Sequence, residues 1–97
     1  MSYKLIVKEE AIADAVEAFQ YYDGQSPGLG ERFLRNLAEC YHLISSNPTN
    51  YGYVFSDKER TIRDVKMKSF PYVVIYDFVD NEVIVYAVHN CYRKPWA

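Results

Sequence analysis

The sequence predicts an α+β fold of order β-α-α-β-β-β, a helical hairpin packed on one face of a small antiparallel-rich sheet, with residues 1–97 forming a single domain. Three observations predict it. Apolar residues recur with a period of two from Tyr3 to Val7 and again beyond Arg60, with β-branched and aromatic residues prominent. Between these stretches the period lengthens to that of a helix, twice, with a Gly/Pro interruption in the middle. Ninety-seven residues leave room for only one hydrophobic core.

Tyr3 to Val7 is the first short strand. Ile12, Val16 and Phe19, widened by Ala15 and Tyr22, then form the apolar stripe of the first helix. Glu9 and Glu10 occupy its first turn, where carboxylates oppose the positive end of the helix dipole, and Asp23-Gly24 ends it. Glu9, Glu10, Asp14 and Glu17 are assigned to its solvated outer side. Ser26-Pro27 supplies a hydroxyl cap and a first-turn proline for the second helix. Leu29, Phe33, Leu37, Cys40, Tyr41 and Ile44 run along one face of that helix, opposite Arg32, Arg35, Asn36 and Glu39. Ser45-Ser46-Asn47-Pro48 stops it, because a residue preceding proline disfavours helix.

Tyr51 to Phe55 reads as a loop or short strand closed by the polar turn Ser56-Asp57-Lys58-Glu59. Arg60 to Met67 is a strand, with Val65 and Met67 on one face and Arg60, Asp64, Lys66 and Lys68 mostly on the other. Phe70 to Val79 is apolar on both faces apart from Asp77, which marks a central strand. Asp80-Asn81 fits a tight hairpin without the usual glycine, and Val83 to Val88 returns. The sheet face away from the helices has no second layer in the sequence, so it is expected to stay partly open as a binding surface.

Charge narrows the function. The net charge of −2 excludes indiscriminate nucleic-acid binding, and no sequence-specific DNA binding is expected of the chain alone. The distribution is uneven: Lys58 to Lys68 holds five basic and two acidic side chains, a local net of +3. Two cysteines are too few for a disulfide framework and are read as reduced thiols. The start of the chain lacks a signal peptide's apolar core, and no apolar run approaches the roughly 20 residues of a membrane span. The expectation is a cytoplasmic protein that does not engage membranes.

The candidate functional residues are Arg63, Lys66 and Lys68 on the basic strand, joined by Arg93 from the tail His89-Asn90-Cys91-Tyr92-Arg93-Lys94. Such a cluster can hold phosphates or an acidic protein segment. It can equally be a solvated strand that lysines protect from edge pairing. His89 and Cys91 share a side if extended, but no third group is evident to orient the histidine. Cys40 and His42 point about 200° apart on a helix, so no metal site is expected. Gly24, Gly28 and Gly30 lack the lysine of a phosphate loop, and no cofactor is expected.

Several phrases, in this order, resemble a known family. They are Glu17-Ala18-Phe19-Gln20-Tyr21-Tyr22, Pro27-Gly28-Leu29-Gly30, Arg32-Phe33-Leu34, the Ile44–Pro48–Tyr51 spacing, Phe70-Pro71-Tyr72-Val73-Val74-Ile75-Tyr76, Ala87-Val88 and Arg93-Lys94-Pro95. Together they resemble the RelE/ParE superfamily of bacterial toxins, specifically its ParE-like plasmid stabilisation branch. The resemblance implies a growth-inhibiting toxin of a type II toxin–antitoxin pair, neutralised by an antitoxin whose disordered segment folds onto it. It also implies one of two targets. ParE-like members poison DNA gyrase without being nucleases, whereas RelE-like members cut messenger RNA on the ribosome. Lys68 and Arg93 match positions where RelE-like members place phosphate-stabilising arginines. Two departures favour binding over catalysis. The sequence closes on Pro95-Trp96-Ala97 with no terminal tyrosine, and Asn90 stands where the branch usually has histidine. Gyrase is therefore the expected target, with a ribosome-dependent endoribonuclease and a non-toxic partner-binding relic as the alternatives.

Overall fold

The computed structural model describes residues 2–54, 58–94 and 96. Its elements are β1 (Lys4–Val7), α1 (Glu9–Gln25), α2 (Leu29–Ser46), β2 (Ile62–Lys66), β3 (Tyr72–Val79) and β4 (Glu82–Asn90), in the predicted order. Phe55, Ser56 and Asp57 lie outside the described residues, so the turn expected at Ser56–Glu59 is seen only from Lys58 onward. The strands form one sheet in the order β1-β4-β3-β2, with β1 parallel to β4 and the other pairs antiparallel. Both helices cover one face. Their contact with the sheet is the main core, built on Phe33, Ile44, Met67, Val74, Tyr76, Val83 and Val85, each at most 2 % exposed.

The hairpin between β3 and β4 forms without glycine because Asp80 and Asn81 both adopt left-handed φ values, +53° and +60°. Short polar side chains tolerate that conformation better than most. Five residues beyond Asn81 the ladder is not regular. Ile75 pairs with Ala87 but Tyr76 pairs with Val85, leaving Tyr86 as the extra residue of a β-bulge. Val83 and Val85 before the bulge, and Val88 and Asn90 after it, oppose the helix-facing residues of β3. Ala87 and His89 consequently turn to the other face.

Three local expectations are corrected. Ser26 does not cap α2: it ends α1, accepting through its carbonyl the Leu29 N–H (3.0 Å), and α2 starts after Gly28 at φ +87°. The Asp23 carboxylate accepts the Gly28 N–H instead (3.2 Å), bridging the two helices. Second, α1 turns Ala11 and Ala18 to the core, while Ile12 and Val16 are half exposed. Small residues let the helix approach β4 closely, which a stripe of branched side chains would prevent. Third, Asp14 is not on the outer side, since its Oδ2 accepts the Val88 N–H at 3.0 Å.

The second sheet face is also less open than expected. Val54 and Trp96 pack over Ile75 and Ala87, which are 1 % and 5 % exposed, and Trp96 stacks on Tyr86 with ring centroids 6.4 Å apart. A single antiparallel bridge, Tyr53 to Arg63, lays the segment 52–54 along the outer edge of β2.

Candidate functional site

The four candidate cations come from two strand ends and one strand interior, and the fold separates them. Arg63 faces the helix side of the sheet, opposite Tyr76. Its Nη1 donates to the Tyr51 carbonyl (2.5 Å), its Nη2 donates to the Tyr53 hydroxyl (2.8 Å), and its guanidinium carbon lies 4.1 Å from the Tyr53 ring centroid. Beneath it the buried Tyr76 hydroxyl donates to the Pro48 carbonyl at 2.7 Å. Arg63 thus fastens the connection after α2 to the sheet. An arginine engaged on its edge and its face by one chain segment has little left for a partner.

Lys66 belongs to the opposite face, where its register partner is Val73. Lys68 follows β2 at the end of the sheet, next to Ser69, whose N–H donates to Asn36 Oδ1 on α2 (3.1 Å). Both lysines are exposed, and both line a cleft of about 440 Å³ between the β2 end and α2. Among the described residues neither has a carboxylate within ion-pair distance.

Arg93 reaches the same end of the sheet from the other flank. β2 and β4 run in the same direction on either side of β3, so both finish there, roughly 10 Å apart at two strand spacings. Cys91 donates its N–H to the Pro71 carbonyl (2.7 Å), and the Asn90 carboxamide oxygen accepts the Tyr92 N–H (2.9 Å), turning the chain back. Arg93 Nη2 then meets Glu17 Oε1 on α1 at 2.9 Å. Glu17 pushes the Arg93 guanidinium further above its ordinary value, first by that bond and then by its charge. With Asp14, Tyr72 and Asn90, the pair lines a polar crevice of about 40 Å³. That volume holds about one water molecule or a single ligand oxygen, not a nucleobase. Burial raises the Tyr72 hydroxyl above its ordinary value, while a bond from Asn90 and the charge of Arg93 pull it back.

His89 also borders this crevice, while its ring Nε2 bonds the Lys94 carbonyl at 2.6 Å along the tail. That geometry requires the proton on Nε2, since a carbonyl can only accept. Cys91 is exposed beside it, and Cys40 is buried, with burial raising its thiol first and the Glu39 charge second. Among the described residues no three His, Cys, Asp or Glu side chains gather in a way that could hold a metal ion.

Sequence reasoning missed Asp14, Glu17, Tyr72 and Asn90 as the surroundings of Arg93. The only signal was the i, i+3 spacing of Asp14 and Glu17, which places both on one helix side.

Comparison with known proteins agrees with this fold. The chromosomal ParDE toxin–antitoxin system from P. aeruginosa superposes with a TM-score of 0.80 at 12% identity, covering 92% of this chain and 96% of that one. The RelBE2 toxin–antitoxin complex from Mycobacterium tuberculosis gives 0.65 at 16% identity, over 93% and 99%. A mutant of the E. coli toxin RelE in the free state gives 0.56 at 17% identity, over 95% and 86%. These likenesses establish the fold, and no curated protein matches the sequence. The family model described as the ParE toxin of type II toxin–antitoxin system, parDE, matches residues 5–93, and the chain belongs to that family.

Proposed function

We propose that the chain is a growth-inhibiting toxin that acts in the cytoplasm by binding DNA gyrase, and that a cognate antitoxin neutralises it. On this reading Lys66, Lys68 and Arg93 are grips for the target, and Arg63 positions the segment beside them. One observation carries the preference for binding over RNA cleavage. The residue beside Arg93 on the helix side is Asn90, an amide that cannot shuttle a proton and whose oxygen already holds the Tyr92 N–H.

The second reading, a ribosome-dependent endoribonuclease with Lys68 and Arg93 stabilising the scissile phosphate, is favoured by one feature. The same crevice gathers the Glu17 carboxylate, the Tyr72 phenol and the Arg93 guanidinium. Expression of the chain alone in a bacterial host separates the two. The gyrase reading expects growth arrest, intact ribosome-bound messages and inhibition of supercoiling by the purified protein. Message cleavage with unimpaired supercoiling overturns it. Lys68→Ala combined with Arg93→Ala is expected to abolish the arrest while the protein stays folded.

A further inference from the structure

We infer that the apolar groove between α1 and α2 is the interface of a two-fold dimer of this chain, in which α1 of each copy lies over α2 of the other. The groove has a volume of about 580 Å³, and Phe19, Leu37 and Tyr41 line it. Ile12, Val16 and Leu34 border it and leave 51 %, 50 % and 41 % of their surfaces exposed. No charged side chain lines it among the described residues. Burial pushes the Tyr41 hydroxyl up to about 12, so the groove stays neutral at physiological pH. Asp14 and Glu17 of α1 are engaged elsewhere, on the Val88 N–H and on Arg93. A second surface can close over the groove without stranding a charge.

Shape selects a second copy as the occupant. The face carries a ridge and a hollow side by side, since Ile12 and Val16, one turn apart, stand half exposed beside the groove. A two-fold axis sets the ridge of each copy into the hollow of the other, so one surface supplies both halves of the contact. The area suffices. The helices have 17 and 18 residues. At about 1.5 Å per residue and about 10 Å per helix, each hairpin offers roughly 500 Å², and the pair buries roughly 1,000 Å², the lower bound of a specific interface. Charge selects the arrangement. Gly30 lies against Phe19 and Asp23 with no room for a Cβ, which sets the level of the two antiparallel helices. Counted from there, His42 stands level with Glu9, and Leu34 level with Val16 and Glu17. With α1 over α2 about an axis parallel to the helices, Glu9 of one copy comes level with the His42 ring of the other. With α1 antiparallel over α1, Glu9 comes level with Asp23 of the other copy, carboxylate against carboxylate. The dimer does not rest on the proposed function. It leaves the proposed grips open, because Lys66 and Lys68 flank α2 on its β2 side and Arg93 meets α1 at Glu17. Each dimer thus presents two sets of them.

Sedimentation equilibrium of the purified full chain tests this. A reversible monomer–dimer equilibrium is expected in the micromolar range. Ile12→Glu with Val16→Glu is expected to weaken the dimer at least tenfold, whereas Lys66→Glu with Lys68→Glu leaves it unchanged. Val16→Lys and Leu34→Glu are each expected to weaken self-association alone. Mixed together they are expected to form a heterodimer, because the lysine of one copy then meets the glutamate of the other. All five positions are exposed, and circular dichroism melts check that each variant stays folded. The inference is overturned if the chain sediments as a monomer throughout the micromolar range. It is equally overturned if the lysine reversals dissociate the dimer, if the groove reversals do not, or if the mixed variants fail to associate. A monomeric chain whose Ile12→Glu, Val16→Glu variant has lost growth arrest gives this face to a different partner. Sedimentation reads mass alone, so the dimer and the gyrase reading fail separately.

Discussion

Arg63 and Lys68 lie five residues apart in the same basic stretch, yet the protein itself engages one and leaves the other in solvent. Arg63 points to the helix side, where Tyr51 and Tyr53 take up two of its N–H groups and one ring lies over it. Lys68 lies past the last ladder pair of β2, where no described carboxylate reaches it. A cation inside a strand is assigned by the sheet to a face and can be drawn into the fold. A cation just beyond the strand escapes that assignment. Clusters of positive residues in a sequence therefore mix structural braces with available grips.

Mutation can break this contrast, beginning with the brace. Arg63→Ala removes two hydrogen bonds and the ring contact, and is expected to cost about 2–4 kcal/mol in urea-induced unfolding. A change of less than about 0.5 kcal/mol would place Arg63 among the bare cations. Tyr76→Phe leaves the buried Pro48 carbonyl without its donor and is expected to cost about 1–2 kcal/mol by the same measurement.

Asp64 gives a smaller effect with a definite sign. Burial raises its carboxyl above the ordinary value, so the folded chain binds that proton more tightly than the unfolded chain. Its contribution to stability consequently falls as pH rises from the ordinary carboxylate range through the raised value. Asp64→Asn should melt slightly higher than the parent at neutral pH, with the gap closing under acid; an unchanged gap at every pH would disprove the linkage. Last, Lys68→Ala should leave the melting temperature where it is while removing growth inhibition. Loss of stability there would show that Lys68, like Arg63, serves the fold.

The order of elements was legible because hydrophobic period is a local property, and it changes from two to about 3.6 and back. Which face a helix turns inward was not. In α1 the alanines meet the sheet while Ile12 and Val16 do not, and a stripe in the sequence does not say which surface covers it. The surroundings of Arg93 depend on a contact between residues 17 and 93, joined only when the tail turns over α1. The brace at Arg63 depends in the same way on a segment returning across the edge of β2. Lys68 and Arg93 could be nominated from the local excess of positive charge and the family resemblance, whereas their places beyond the ends of β2 and β4 needed the structure. Arg63 and Lys66, inside a strand, required the ladder to show that they face opposite ways.

The bulge at Tyr86 acts as a frame shift within β4. Counting by twos from Val83 and Val85 would bring Ala87 and His89 to the helices. The extra residue advances the count by one and brings Val88 and Asn90 there instead. Whether an imidazole or an amide meets Glu17 and Arg93 is thus decided four residues earlier, by where one tyrosine drops out of the ladder. A variant that paired Tyr86 in register would exchange the two side chains without altering either of them, and would place a titratable ring against the guanidinium.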